Sequence, residues 1–308
     1  MEFYHKTVLL KETIDFLNIN PDGIYVDATL GAGGLSSKIL ENLSSRGVLV
    51  SLDVDKDAVD FCKKKFINEN RIRIFNSNFI FLDEVLSVLD ISKVDGICID
   101  LGVSSYQIDC PERGFSYLHN SRLDMRMSQS GKSAYDVVNF YEENHLSDVI
   151  WKYGEERFAK SISRSICKTR KFKKIETTFE LVEAIEKVVP KFKAGHSAKR
   201  TFQAIRIEVN DELKNLDIVL NKCIKFLKIG GRLLVLTFHS LEDRIVKQKM
   251  RFWEKDCLCP VKSPICTCNK IKEAKIINRK VIVPSKDEVI NNSRCKSAKL
   301  RICECEKV

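Results

Sequence analysis

The chain predicts an α/β fold: a sheet of mainly parallel strands with a helical domain inserted into it. Three observations carry that expectation. Short β-branched runs alternate with amphipathic segments through the first hundred residues, and a glycine-rich turn joins the first strand-like run to the segment after it. About 130 residues of largely helix-like pattern then separate the fourth strand-like run from the fifth.

The first four strand-like runs are "GIYVDAT" (23–29), "GVLVSLDVD" (47–55), "RIRIFNSNF" (71–79) and "DGICIDLG" (95–102). Each is apolar or β-branched and stops at polar residues, as a strand buried on both faces does. Between them, "LSSKILENLSS" and "DKDAVDFCKKKFI" repeat apolar residues at helical spacing. The gap before "GGRLLVLTFHS" (230–240) fits a compact sheet only if it carries structure of its own. "AYDVVNFYEENHLSDVIWKYG", "ERFAKSISRSICKT" and "TFELVEAIEKVVPKF" supply it, with spacings of three and four. The expected organisation is a discontinuous sheet domain, residues 1–106 and 208–308, and an inserted helical domain, residues 107–207. A helix ("LEDRIVKQKMRFW"), a cysteine-bearing loop and a last strand, "SAKLRICEC" (297–305), close the chain. No internal repeat is visible.

The bulk composition narrows the class. A chain of 308 residues that is 44% hydrophobic can bury a sizeable core. No window approaches the 18 or so uncharged apolar residues of a membrane span, and the start, "MEFYHKTVLLKET", lacks an export signal. A cytoplasmic location follows as the expectation, with the 12 cysteines kept reduced. The net charge of +10 favours a polyanionic partner.

In "IYVDATLGAGGLSS" (24–37) an apolar run ends at a carboxylate and enters a glycine-rich turn, where a ligand can approach the backbone and a helix N-terminus. A Walker loop needs Gly-Lys-Ser/Thr, but Leu35 follows Gly34. A dinucleotide fingerprint needs a third glycine where Ser36 stands. S-adenosyl-L-methionine has no phosphates, so its loop needs room rather than a cation. Asp53 closes the second strand, where a carboxylate could accept both ribose hydroxyls; dinucleotide folds share that acid. Phe79 follows the third strand, placed to lie against adenine, and Asp100 ends the fourth. These strand ends converge on the crevice where open α/β sheets bind ligands.

At "IDLGVSSYQID" (99–109) the pattern becomes specific. Together with "RGFSY" (113–117), "LDMRM" (123–127), "YGEERFAK" (153–160), "AKRTFQAIRIEVNDEL" (198–213), "GGRLLVLTFHSLEDRIVK" (230–247) and "SAKLRI" (297–302), it closely resembles the RsmH family, formerly MraW. These are the small-subunit ribosomal RNA (cytosine-N4)-methyltransferases, and the matching blocks run from about Tyr4 to about Arg301. The resemblance implies a class I (Rossmann-like) methyltransferase sheet with an inserted domain. It also implies methylation of the exocyclic amine of one decoding-region cytidine in 16S rRNA. The implied partner is the small ribosomal subunit, and a second copy of the chain is admitted as another. Carried over by position, the cofactor contacts fall on Gly33, Gly34, Leu35, Asp53, Phe79, Asp100 and Gln107. Leu35 stands where the family usually has histidine, and Tyr106 where proline is common.

For the chemistry, Asp100 is the candidate near the reacting centre, as acceptor for the amine N–H. The Asp/Asn/Ser-Pro-Pro-aromatic tetrapeptide of amino-methylating DNA enzymes is absent, since "DLGV" stands here. Either the insertion holds the base or Asp100 serves only the cofactor. The reaction needs no metal. Lys199, Arg200 and His239 are the candidate RNA contacts, supported by the basic runs "KTRKFKK" (168–174) and "KFKAGHSAKR" (191–200). For His239 a hydrogen-bonded loop residue is the competing reading, and the role of His5 is open. Cys257, Cys259, Cys266 and Cys268 form C-x-C-x6-C-x-C, which suits either a structural metal or a reduced cysteine-rich loop. A nicotinamide-dependent oxidoreductase and a non-catalytic ribosome-assembly factor are the alternatives to methyl transfer.

Overall fold

The computed structural model describes residues 7–190, 196–260 and 267–307. His5, Cys266 and residues 191–195 of the second basic run therefore lie outside the described residues. Seven strands form one sheet in the order β3-β2-β1-β4-β5-β7-β6. They are β1 (Ile24–Asp27), β2 (Val48–Asp53), β3 (Ile72–Asn76), β4 (Val94–Asp100), β5 (Leu227–Thr237), β6 (Ala274–Ile276) and β7 (Lys299–Cys305). β1 to β5 are parallel, β7 runs antiparallel to β5, and β6 pairs antiparallel with β7. The strand order reverses direction between β1 and β4, the switch point at which such sheets open a ligand crevice.

Side-chain alternation explains why these runs read as continuously apolar. Val26, Ile97, Ile99, Leu233 and Val235 face one buried cluster, completed by Leu216, Val219 and Leu220 of the helix Glu212–Phe226 and Val246 of the helix Ser240–Glu254. Their neighbours Tyr25, Cys98, Leu234 and Leu236 face the other, with Ile39 and Leu40 of the helix Gly34–Asn42. With both faces covered, successive positions of the central strands are interior on either side, while β3 and the start of β5 are partly exposed. β6 is the strand that periodicity missed, because three residues are too few to show a period.

Two compact units divide the chain, Met1–Gly102 with Leu213–Val308, and Val103–Glu212. The division falls four residues earlier than the expected 106/107 break and five later than the 207/208 break. The second unit is helical and has its own core of Leu123, Met125, Val137, Leu146, Ile150, Ile162, Leu181, Phe202 and Ile205, among others. Its first long helical pattern is split into Ala134–Phe140 and Glu143–Gly154. Tyr141 is extended there, and the Arg170 guanidinium donates to the carbonyls of Val138 and Tyr141.

Candidate functional site

The crevice is built from the carboxyl ends of β1, β2 and β4. Gly31 has φ +50° and open space where a Cβ would stand. Gly33 shares the positive φ (+71°), and for Gly33 and Gly34 space is limiting as well. A Cβ on Gly33 would lie 2.8 Å from the Phe66 ring, and one on Gly34 would collide with the Thr7 hydroxyl. The loop carbonyls are already engaged: Lys65 Nζ donates to Ala32 O (3.0 Å) and Gly33 O (3.2 Å), and Cys62 Sγ to Gly31 O (3.3 Å). Helical spacing alone gives Lys65 and Cys62 no such role, since it marks them as a surface cation and a core thiol.

Asp53 is bound to this loop directly. Its Oδ2 accepts from Gly31 N (2.7 Å) and its Oδ1 from Asp55 N (2.8 Å). Burial pushes its carboxyl up to about 6, against those two backbone bonds. Asp27, the acid that ends β1, is fully buried and organises the turn from beneath. It accepts from Ser36 Oγ (2.7 Å) and Thr29 N (3.3 Å), and Ser36 reaches Ser51 of β2 at 3.0 Å. Leu35, between them, buries its side chain in the core, so position 35 can meet a ligand only through its backbone.

Asp100 ends β4, and its own N–H donates to Thr29 Oγ1 (2.7 Å). Its Oδ1 is buried with no hydrogen-bond partner. Burial, then the charges of Asp27 and Glu242, push its carboxyl up to about 8. A buried oxygen without a donor costs about 1–3 kcal/mol, which a ligand N–H or cation placed there would recover. Phe79 opens the turn after β3, half-buried against the core, and Asn78 caps that turn through Ile80 N (3.0 Å).

His239 caps the helix Ser240–Glu254. Its Nδ1 accepts from Glu242 N (3.4 Å), while Glu242 accepts from the N–H groups of Phe238 (2.7 Å) and His239 (3.2 Å). The imidazole side chain is only 9% exposed, so the structure gives it a capping duty. Asp243, next along, accepts from Arg301 Nε (2.6 Å) and Lys299 Nζ (2.9 Å), tying this helix to β7.

In the second unit, Gln107 sits in the helix Ser105–Asp109 and is nearly buried. Its Oε1 accepts from Ser104 N (3.1 Å) and its N–H donates to Ser104 Oγ (3.2 Å), a capping box that sets the turn without proline at position 106. Lys199 and Arg200 open the helix Lys199–Asn210 and are exposed, with Arg200 also donating to Glu155 O (3.2 Å). Within "KTRKFKK", Arg170 is spent on carbonyls and Lys173 pairs with Glu180 (2.6 Å). Lys168 and Lys171 stand exposed beside Phe172, which is 86% exposed. Cys257, Cys259 and Cys268 converge at the other end of the chain, their sulfurs all within 4.8 Å of one another.

The family model for the MraW methylase family matches residues 2–306. The chain belongs to that family. It is 54% identical over 304 residues to the ribosomal RNA small subunit methyltransferase H of Caldicellulosiruptor saccharolyticus, covering 98% of this chain and 99% of that one. It is 52% identical over 306 residues to the protein of the same name from Clostridium botulinum strain Kyoto, with the same coverage. An rRNA methylase structure from Streptococcus thermophilus superposes with a TM-score of 0.44 at 10% identity, covering 99% of this chain and 100% of that one.

Membership of a methylase family displaces the nicotinamide reading. The methyl donor of a MraW methylase is S-adenosylmethionine, and the residues present fit it: an open backbone at Gly31, a carboxylate at Asp53 with both oxygens anchored, and the partnerless Asp100 oxygen at the switch point. Several blocks shared with the family prove to be scaffolding. Gly114 has φ +68°, and a Cβ there would lie 2.3 Å from Arg122 O. Arg113 is buried and donates through Nη2 to the carbonyls of Arg126 and Met127, both at 2.9 Å. Gly154 lets two helices touch, since its Cβ would lie 2.7 Å from Arg200 O.

No helix among the described residues is long and apolar enough to cross a membrane.

Proposed function

We propose that this chain methylates the exocyclic N4 amine of a decoding-region cytidine in small-subunit ribosomal RNA, acting in the cytoplasm. The observation that carries the reading is Asp100. A MraW methylase presents, at the switch point of its sheet, one buried carboxyl oxygen with no partner of its own. The relatives' shared name supplies the substrate class.

S-adenosylmethionine supplies an electrophilic methyl on a sulfonium that leaves as a neutral thioether. Gly31 and the backbone at positions 33–35 would give the donor room, Asp53 would accept from its ribose, and Phe79 would lie beside its adenine. Asp100 accepts an N–H of the incoming amine, which frees the nitrogen lone pair from the ring and steadies the charge arriving on it. As the N–C bond forms, the S–C bond breaks and the amine proton passes to that acceptor. Positioning is the largest contribution, up to ~7–11 kcal/mol in favourable cases. A base paired or stacked in rRNA must be turned out to reach this depth. Lys168, Lys171, Lys199 and Arg200 of the helical unit hold the phosphates, and Phe172 offers a face for a base.

The experiment is mass spectrometry of nucleosides from small-subunit rRNA, with and without the gene, together with transfer of labelled methyl to purified subunits and to naked rRNA. N4-methylated cytidine that disappears with the gene and returns with the purified protein is the expected result. An unchanged modification overturns the reading, and sedimentation equilibrium gives the copy number of the active species.

A further inference from the structure

We infer that Cys257, Cys259 and Cys268 form a thiolate site for a structural zinc ion in the excursion between the helix Ser240–Glu254 and β6. The inference is independent of the methyl-transfer site.

The excursion runs from Lys255 to Glu273 with no helix or strand among its described residues. Unstructured connections beyond ~12–15 residues are uncommon inside a compact domain. This one is pinched at its base, where Glu273 N donates to Trp253 O at 2.9 Å and Trp253 is buried. Beyond that base, no described residue of the excursion is buried. Its described residues have no apolar core of their own to hold them.

Two groups stand out among the described cysteines. Cys62, Cys98, Cys223, Cys303 and Cys305 are buried in the sheet domain, as small apolar side chains. Cys257, Cys259 and Cys268 are half-exposed and turn toward one another instead, with all three sulfurs within 4.8 Å. Each sulfur accepts one backbone N–H: Cys257 from Cys259 (3.3 Å), Cys259 from Thr267 (3.4 Å) and Cys268 from Leu258 (3.2 Å). Donors aimed at sulfur favour the thiolate over the thiol. Were all three to ionise, their charges would repel at this distance unless a cation lay between them.

Distance separates a metal site from a disulfide. The Cys257 and Cys268 sulfurs are 3.8 Å apart, well beyond the ~2.05 Å of an S–S bond. Two sulfurs on a tetrahedral zinc, each at ~2.3 Å, stand ~3.8 Å from each other. Thiolate ligands select soft cations, and zinc is the redox-inert one that accepts a tetrahedral all-thiolate shell. Binding releases protons from the thiols and takes up one cation, with no change of oxidation state. The ion would staple Cys257 and Cys259, just after the helix, to Cys268, just before β6, and so hold the edge of the sheet.

The full chain, purified untagged with reductant and without chelator, is expected to carry about one zinc per chain by plasma mass spectrometry, with an X-ray absorption shell of sulfur at ~2.3 Å. Cys257→Ser/Cys268→Ser should lose at least about nine-tenths of that zinc while S-adenosylmethionine affinity stays within about twofold, and Cys110→Ser, outside the cluster, should keep it. Release of zinc by a mercurial thiol reagent reads the same site in the wild type, without relying on the variant to fold. Protein that stays zinc-free after incubation with zinc and dialysis overturns the inference. So does a Cys257–Cys268 disulfide in chain taken from reducing cytosol, an iron chromophore in place of zinc, or zinc that persists in the double variant.

Discussion

Asp53 Oδ2 accepts the backbone N–H of Gly31 at 2.7 Å, across the gap between the end of β2 and the first turn after β1. One carboxylate thus shapes the loop at the proposed cofactor site. Asp53→Ala should weaken S-adenosylmethionine binding by about 10- to 100-fold, the worth of one charged hydrogen bond at ~1.5–3 kcal/mol. Calorimetry on the purified protein measures it. An affinity unchanged by the substitution would remove Asp53 from the cofactor site.

Asp100 links pH to both stability and rate. Its folded carboxyl titrates near 8, against ~3.9 in an unfolded chain. Between those values the native state holds a proton that the unfolded state has lost, so the unfolding free energy falls as pH rises through that window. Asp100→Asn carries no such charge, and its melting temperature relative to wild type should climb between pH 5 and pH 8.5, by about 2–4 °C for each kcal/mol relieved. The ionised carboxylate is the form that accepts the amine proton, so wild-type kcat/KM should rise with pH toward 8. The variant should lose ~10²–10⁴-fold in rate, with a flat profile. A variant that melts lower at pH 8, or keeps its rate, contradicts this assignment.

Gly114 carries the left-handed turn of "RGFSY" against Arg122 O. Gly114→Ala adds a Cβ to a positive-φ residue where the neighbour is backbone and cannot yield. It should destabilise the helical unit by roughly 1–3 kcal/mol or more, read as faster proteolysis within residues 103–212, while cofactor affinity in the sheet unit is kept. Equal protection of the two proteins would show that the turn adapts.

Lys168 and Lys171 are exposed, whereas Arg170 is committed to carbonyls and Lys173, also exposed, pairs with Glu180. Lys168→Glu/Lys171→Glu should weaken rRNA binding without regard to sequence and lower the salt slope by about 1 for each phosphate no longer neutralised. Arg170→Ala should act mainly on stability instead. Filter binding across a salt series, set against thermal melts, separates the two. If the double variant binds with the wild-type slope, the RNA path lies elsewhere on the unit.

The parallel sheet and the positions of Asp53 and Asp100 were legible in the sequence because each depends on local order: a β-branched run, a polar stop, a glycine turn. The expected domain limits and the structural division differ by four and five residues, since a boundary is where packing thins out and no side-chain period marks it. What only the tertiary structure decided is which partner each group meets. Lys65 covers the carbonyls of the glycine loop, and His239 is turned inward to cap a helix. One Asp100 oxygen is left without a donor, while three cysteines distant from the core are brought within bonding reach of a single ion. Lys65 stands 33 and 32 positions from the carbonyls it covers, and even the shorter pairings depend on burial, a condition that exists only once the chain has closed on itself.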